Sequence, residues 1–280
     1  MTKRGFYAQN QPVFTIGGVS LKRFINDVKK YWNYTRYAAK SQLKTEVANS
    51  YLNWLWWILE PFCFMLIYAF VFGMLFKKKL EYFNIYIFVG LAFWDFFNRC
   101  IKSSVRMVRK NKPIVSKVYL PKFMLIISDM MVNGFKMMIC FGISFVMMIV
   151  YRVPVSYRIL YMIPILLVGI VFTFGCSCIM LHLGVFIDDM SNVINIVLRF
   201  VFYLTGIFYS IEQSFPKPYR TILLNCNPIA CIINDLRRCI IYCQDPGFHV
   251  LELWAVISVV LAIIGVRTIY RGENTYVKVI

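Results

Sequence analysis

Charged residues stand inside apolar runs of the chain, among them Asp95, Arg99, Lys136 and Arg199. A charge in hydrocarbon costs roughly 2.5 to 3.5 kcal/mol, so such residues are expected to face a partner or a wet cavity. Asp95 and Arg99 are four apart with the acid first, a spacing that favours a pair along one helix. Lys136 has no acid four residues away and is expected to line a cavity or to meet Glu60; Arg199 poses the same question. Aromatic side chains crowd two runs, one holding Trp54, Trp56, Trp57, Tyr68 and Phe72, the other Phe200, Phe202, Tyr203, Phe208 and Tyr209. Aromatic faces pack against the C–H faces of sugar rings, and Tyr and Trp carry a polar handle for hydroxyls. Tyr68, Phe72, Tyr203 and Tyr209 are therefore candidates to line a path for a glycan. The plainer reading, an interfacial belt, covers Trp54, Trp56 and Trp57.

Covalent chemistry lacks its parts. There is no G-x-x-x-x-G-K-S/T loop to cradle nucleotide phosphates, so energy from ATP would have to come from another chain. His182, Asp188 and Asp189 are the one grouping that a membrane-embedded enzyme acting on lipid-linked sugars would need to converge. A proton-driven carrier wants acids and histidines at successive depths, which the apolar runs do not supply. Cys226, Cys231, Cys239 and Cys243 leave one disulfide open as a reading; no metal site is expected, since only His249 adds a nitrogen there. Cys63, Cys100, Cys140, Cys176 and Cys178 lie in apolar runs and read as small reduced hydrophobes.

The elements that position these groups follow from composition. Of 280 residues 60% are hydrophobic and 16% charged, with a mean hydropathy of +0.64. A soluble domain carries about a quarter charged residues, so the chain falls in the membrane class. The net charge of +18 sits in short gaps between apolar runs, which excludes a nucleic-acid-binding face, a soluble enzyme and a disordered tail. Six runs are long enough to span a bilayer, at about 55–76, 85–101, 120–150, 159–182, 193–211 and 250–269. The third must tilt or begin in the interface. With both termini cytoplasmic, inner segments hold seventeen Lys/Arg against nine outside, as the positive-inside rule requires. Lys77 to Lys79 go against it locally.

Residues 1–54 hold no signal-peptide core and are expected to stay in the cytoplasm, ahead of a transmembrane domain at 55–280. Leu21, Phe24, Ile25, Val28, Trp32, Leu43 and Val47 alternate with basic residues at helical spacing, which predicts an amphipathic helix in the headgroup plane. Between the fifth and sixth runs, Pro216 and Pro218 open a segment with two short helices, Tyr219 to Cys226 and Ile229 to Tyr242, broken at Asn227-Pro228. Such a pair is expected to form a re-entrant hairpin, which must be covered by protein or water where its backbone is not helical.

Several stretches together resemble one family. Ser50-Tyr51-Leu52-Asn53-Trp54-Leu55-Trp56-Trp57-Ile58-Leu59-Glu60-Pro61 is similar to its S-x-L-G-Y-L-W-x-x-x-N/E-P start, and Tyr68 to Gly73 to Y-x-F-V-F-G. Asn111 with Lys117-Val118-Tyr119-Leu120-Pro121-Lys122 follows N-x-x-x-x-x-K-V-Y-F-P-R, and Phe208-Tyr209, Asn227-Pro228 and Leu236-Arg237-Arg238 follow the F-Y, N-P and F-R order. The family is that of ABC-2 type permeases exporting O-antigen, capsule or teichoic acid polysaccharides. Asn53 stands where it usually has Gly, and Asp188-Asp189 where it tends to have Arg-Asp.

The resemblance implies an all-helical permease subunit of the bacterial plasma membrane, working as a homodimer, since one such bundle is too small to enclose a polymer-wide path. It implies a separate pair of ATPase subunits that bind ATP and Mg, a polyprenyl-diphosphate-linked glycan as cargo, contact with membrane lipids, and no cofactor or covalent chemistry in this chain. On this reading Arg106, Arg109, Lys110, Asn111 and Lys112 form a coupling helix that docks on the ATPase; the alternative is an ordinary positive-inside loop. Arg36, Lys40 and Lys44 become a gate meeting the substrate diphosphate, or else a lipid anchor. Asn227, Pro228, Arg237 and Arg238 belong to an outer gate. An ABC-2 exporter of a drug or small lipid is the alternative within transport.

Overall fold

A computed structural model describes residues 21–48, 51–75 and 81–279, and every regular element among them is helical. In order these are α1 (Leu21–Val47), a 3-10 turn (Asn53–Leu55), α2 (Trp56–Leu75), α3 (Phe83–Lys110) and the one-turn α4 (Lys112–Val115). Then follow α5 (Phe123–Val150), a 3-10 turn (Tyr157–Tyr161), α6 (Met162–Phe186), α7 (Met190–Leu204), the one-turn α8 (Ile211–Ser214), α9 (Lys217–Cys226), α10 (Pro228–Ile240) and α11 (Phe248–Val279). By length and composition Phe123–Val150, Tyr157–Phe186 and Phe248–Glu273 can cross a membrane, and Trp56–Tyr68 and Met190–Leu204 are shorter apolar helices. The Lys77 to Lys79 triplet lies outside the described residues.

Boundaries depart from the hydropathy runs for local reasons. α3 continues nine residues past 101, because its polar last turns are themselves amphipathic: Val105, Met107 and Val108 are buried while Lys102, Arg106, Arg109 and Lys110 are exposed. α7 stops at Leu204 rather than 211. There Thr205 donates to the Phe202 carbonyl (2.7 Å), and Gly206 takes a left-handed φ of 65°, which a side chain would resist. α9 begins at Lys217, since Pro218 in a first helical turn removes a backbone donor that had no partner anyway.

Contacts along the helices fix their relative directions. α3 runs antiparallel to α2 (Arg99 to Glu60 at one end, Tyr68 and Tyr86 both reaching residues 208–209 at the other), to α5 (Asn84 to Tyr151 at one end, Ser103 to Asp129 at the other) and to α7 (Arg106 to Ser191, Trp94 to Phe202). It runs parallel to α6, where Gly169 abuts Phe93 and Gly184 abuts Val105. α6 and α11 are parallel and touch backbone to backbone: a Cβ on Gly175 would stand 2.8 Å from the Ala262 nitrogen. Close approach through small residues is how helices associate in lipid, where no hydrophobic force holds them. One end of the bundle therefore gathers α1, α4, residues 185–191 and the end of α11, and the other gathers residues 151–161 and 205–247.

α1 forms as expected, but its apolar side is divided. Thr35 and Ala39 are buried, Ser128 of α5 donates to the Thr35 carbonyl (3.4 Å), and Phe24 packs at a tilt against Phe123 (ring centroids 5.0 Å). Ile25 and Trp32 remain exposed beside the basic residues.

α10 is enclosed. Ile229, Ile232, Ile233, Leu236 and Ile240, the face expected from the sequence, are all buried, against α3, α6, α9 and α11. Asn227 caps the helix: its side-chain oxygen accepts from the Ile229 and Ala230 amides (3.1 and 3.2 Å), with Pro228 at the first helical position. Asn227→Ala removes those bonds and should lower stability by about 1 kcal/mol, read as a drop in the thermal midpoint of the detergent-purified protein. A midpoint equal to wild type would show that the cap is dispensable. All nine cysteines are free; Cys231 points at Asp235 and Cys243 at the Pro154 carbonyl.

Candidate functional site

The basic end of the bundle carries the residues expected to couple to a motor. α3 ends at Lys110, Asn111 turns the chain with its side chain on the Met107 carbonyl (2.8 Å), and α4 follows at once. Lys110 and Lys112 are exposed. Arg106 and Arg109 are exposed as well but are bonded to neighbouring elements: Arg106 donates to Ser191 (2.7 Å), and Arg109 to the Val185 carbonyl (3.4 Å) and to the Asp188 carboxylate. Two of the five candidate residues therefore strap α3 to residues 185–191, from the end of α6 to the start of α7.

The segment after α4 is tied from three sides. Lys122 is 3% exposed and pairs with Glu273 of α11 (3.3 Å), which also accepts from Tyr119 (3.2 Å). Arg23 of α1 donates to the Tyr119 hydroxyl (3.4 Å) and lies over the Tyr270 ring (4.6 Å), and Tyr270 donates to Asp27 (2.6 Å). Burial, helped by the Glu273 charge, holds the Tyr119 phenol above its ordinary pKa, so it stays a neutral donor. Lys117 to Lys122 stood out in the sequence, but Glu273, Arg23 and Asp27 did not; the available signal was an acid inside an otherwise basic terminal stretch.

Arg36, Lys40 and Lys44 are exposed in one row along α1, with no ion pair among the described residues. At the opposite end three of the four aromatic candidates gather. Tyr68 packs on Phe208 (4.7 Å) and on Phe64 (6.3 Å), Tyr209 donates to the Tyr203 carbonyl (2.7 Å), and the Tyr203 side chain is 65% exposed. The Phe72 side chain lies outside the described residues.

Arg237 of the hairpin is 2% exposed and meets no carboxylate among the described residues. Its guanidinium instead donates to the carbonyls of Tyr86 (3.0 Å), Gly206 (2.8 Å) and Ile207 (2.9 Å), over the Tyr86 ring at 3.5 Å. One side chain thus fastens α10 to α3 and to the turn that ends α7. Gly90 makes room, since a Cβ there would meet the guanidinium. Arg238 reaches Glu212 (3.8 Å), which also accepts from Asn234 (3.2 Å).

The interior charges correct one expectation. Arg99 pairs with Glu60 of α2 (3.2 Å), not with Asp95 on its own helix, because the approach of α2 offers better geometry than the neighbouring turn. Glu60 being taken, Lys136 pairs with Glu46 of α1 (2.6 Å). All five groups line a cavity of about 300 Å³ between α1, α2, α3 and α5. Arg199 is exposed. His182 bonds to Tyr276 (2.7 Å) and Asp188 to Arg109, so the three residues an enzyme would need are separately engaged or, for Asp189, exposed. Asp188→Asn breaks only an exposed pair, worth about 0–1 kcal/mol. Together with Asp189→Asn it should leave transport largely intact, because Arg106 on Ser191 and Arg109 on the Val185 carbonyl still hold α3 to this segment, whereas a complete loss of activity in an export assay would point to covalent chemistry there.

A family model described as ABC-2 type transporter matches residues 34–241. The chain is 26% identical over 196 residues to an O-antigen export system permease protein of Klebsiella pneumoniae, covering 70% of this chain and 75% of that one. A second Klebsiella pneumoniae protein of that description is 27% identical over 70% of this chain and 75% of its own length. One from Myxococcus xanthus is 21% identical over 85% of this chain and 92% of its own length.

Proposed function

This chain belongs to the ABC-2 type transporter family, and from that membership we propose that it is the permease subunit of an ATP-driven exporter of a lipid-linked polysaccharide. Two observations carry the reading together: a family match across most of the chain, and relatives described as O-antigen export permeases over most of their own length.

On this reading α2, α3, α5, α6, α7 and α11 are six membrane-crossing helices, with both termini on the cytoplasmic side of the plasma membrane. Their alternating directions support it, as does the basic end that collects α1, α4 and the end of α11. α1 lies in the headgroup plane with Ile25 and Trp32 in lipid, and α9 with α10 forms an outer re-entrant hairpin. Two copies enclose the path, since one bundle is too narrow for a polymer. A pair of ATPase subunits binds ATP and Mg and supplies the work.

The chain's own residues then act by position. The motor pushes on Lys110, Asn111 and Lys112; Arg106 and Arg109 pass the push to residues 185–191, and the Lys122–Glu273–Tyr119 knot passes it to α11 and α1. Movement of α1 brings Arg36, Lys40 and Lys44 to the diphosphate of a polyprenyl-linked glycan. Tyr68, Tyr203 and Tyr209 offer aromatic faces to the passing sugars, and the hairpin held by Arg237 closes the far end.

Removing the chain from cells that make the polysaccharide tests the assignment. The glycan should disappear from the cell surface and accumulate in lipid-linked form inside. Normal surface glycan together with retained small hydrophobes would select the drug or lipid exporter instead.

A further inference from the structure

The cavity between α1, α2, α3 and α5 has a donor and acceptor set unlike the rest of the interior. Two cations, Arg99 and Lys136, are each neutralised by an acid brought from the N-terminal part of the chain, Glu60 and Glu46. A third carboxylate, Asp95, lines the cavity with no hydrogen bond or ion pair among the described residues. Asn133 also lines it, held by bonds to the Asp129 carbonyl and carboxylate (3.0 Å each). Trp56, 46% exposed, stands in the wall, and Trp57 beside it is braced edge-on by Phe135 (5.7 Å).

The charge balance decides the class of ligand. Three carboxylates against two cations, both already paired, make a poor site for phosphate, which needs unneutralised Arg or Lys. Planar carboxylates, a guanidinium and an amide around an indole suit a different guest. A pyranose presents adjacent hydroxyls that both donate and accept, and an apolar C–H face that lies on an aromatic ring. At about 300 Å³ the cavity is at the lower end of ligand-pocket sizes, ~300–1,000 Å³, which admits a single sugar unit and not a chain.

We propose that this cavity is a recognition subsite for one pyranose unit of the cargo, the sugar nearest its diphosphate, with Asp95, Glu60, Arg99 and Asn133 bonding hydroxyls and Trp56 covering a ring face. The placement rests on the exporter reading, which puts the cavity at the cytoplasmic headgroup level, one diphosphate away from the lipid. Glu46 and Lys136 close the side toward α1, so the subsite is completed by the same helix that carries Arg36, Lys40 and Lys44. It selects which glycan is taken, while the far aromatic cluster need not discriminate.

The full chain with its ATPase, in lipid nanodiscs, is given a panel of methyl glycosides of hexoses and N-acetylhexosamines, with inorganic pyrophosphate as counter-probe, and binding is read by saturation-transfer NMR for the glycosides and by phosphorus NMR for pyrophosphate. Saturable binding of at least one glycoside with a Kd near or below about 10 mM is expected, and no pyrophosphate binding that depends on Arg99. Asn133→Ala and Trp56→Ala, each checked for an unchanged gel-filtration profile, should weaken that binding at least fivefold. No glycoside binding, or binding that neither properly assembled variant weakens, overturns the subsite. Saturable pyrophosphate binding that Arg99→Gln abolishes overturns it in favour of an anion site. Because binding is read directly, a negative result with polysaccharide export intact removes the subsite alone, whereas failure of export itself removes the exporter reading.

Discussion

Replacing Arg237 by Met should destabilise the protein by about 3 kcal/mol or more, since it strips an enclosed site of three charge-assisted hydrogen bonds. The side chain is 2% exposed, and its partners are the Tyr86, Gly206 and Ile207 carbonyls from two separate parts of the chain. Methionine fills much of the volume but leaves two carbonyls of a non-helical turn with no donor in its place, so the turn and α10 should come apart together. Arg237→Lys keeps the charge without the fork that reaches three acceptors, and is expected to recover less than half of the loss. Gly90→Val offers an independent route to the same defect, because its side chain would occupy the position of the guanidinium. The measurement is thermal unfolding in detergent alongside limited proteolysis across residues 205–227. An unchanged midpoint and cleavage pattern for Arg237→Met would mean that the cage holds nothing.

Glu273→Ala is expected to cost a comparable amount, about 3–5 kcal/mol, through a different route. It leaves Lys122, 3% exposed, as a buried unpaired charge. Removing both charges, as Lys122→Met with Glu273→Met, should restore most of the stability, because a buried ion pair gains little over well-packed apolar groups. Transport should not return with it: the pair joins the segment after α4 to the end of α11, and Tyr119 on that carboxylate joins both to Arg23 of α1. A double-mutant cycle separates the two effects. Stability changes that merely add, within about 0.5 kcal/mol, would show that the two residues do not interact. Full transport by the apolar double variant would show that the knot transmits nothing.

The legible parts were those decided locally. The basic amphipathic helix could be read from the alternation of Lys and Arg with apolar residues, and α1 runs from Leu21 to Val47. The break at Asn227-Pro228 follows from the missing amide of proline and the capping oxygen of asparagine, and both residues do that work. The buried face of α10 could likewise be read from helical spacing.

What stayed hidden depends on distance along the chain. Arg99 had an acid one turn away, so local spacing favoured Asp95, yet Glu60, thirty-nine residues away, holds it. Lys122 and Glu273 are separated by 151 residues, and nothing in either neighbourhood names the other. Arg237 is less legible still, because its partners are backbone carbonyls, which every residue has and no sequence marks. Its placement followed only once α3 and the turn at Gly206 were seen to converge on it. Of the coupling candidates, Arg106 and Arg109 looked like plain surface charge because hydropathy cannot tell a free exposed arginine from an exposed one bonded across to a neighbouring helix.

If this chain forms half of a conduit moved by a separate motor, as proposed above, reconstitution puts that to the sharpest test. Purified chain is placed in liposomes with lipid-linked polysaccharide in the leaflet that faces the ATPase side, with and without that ATPase, and the appearance of glycan on the far side is followed on adding ATP. Movement should require both proteins and ATP together, and should vanish with either left out. Glycan delivered by the isolated chain at the full rate, with no companion and no nucleotide, would contradict it.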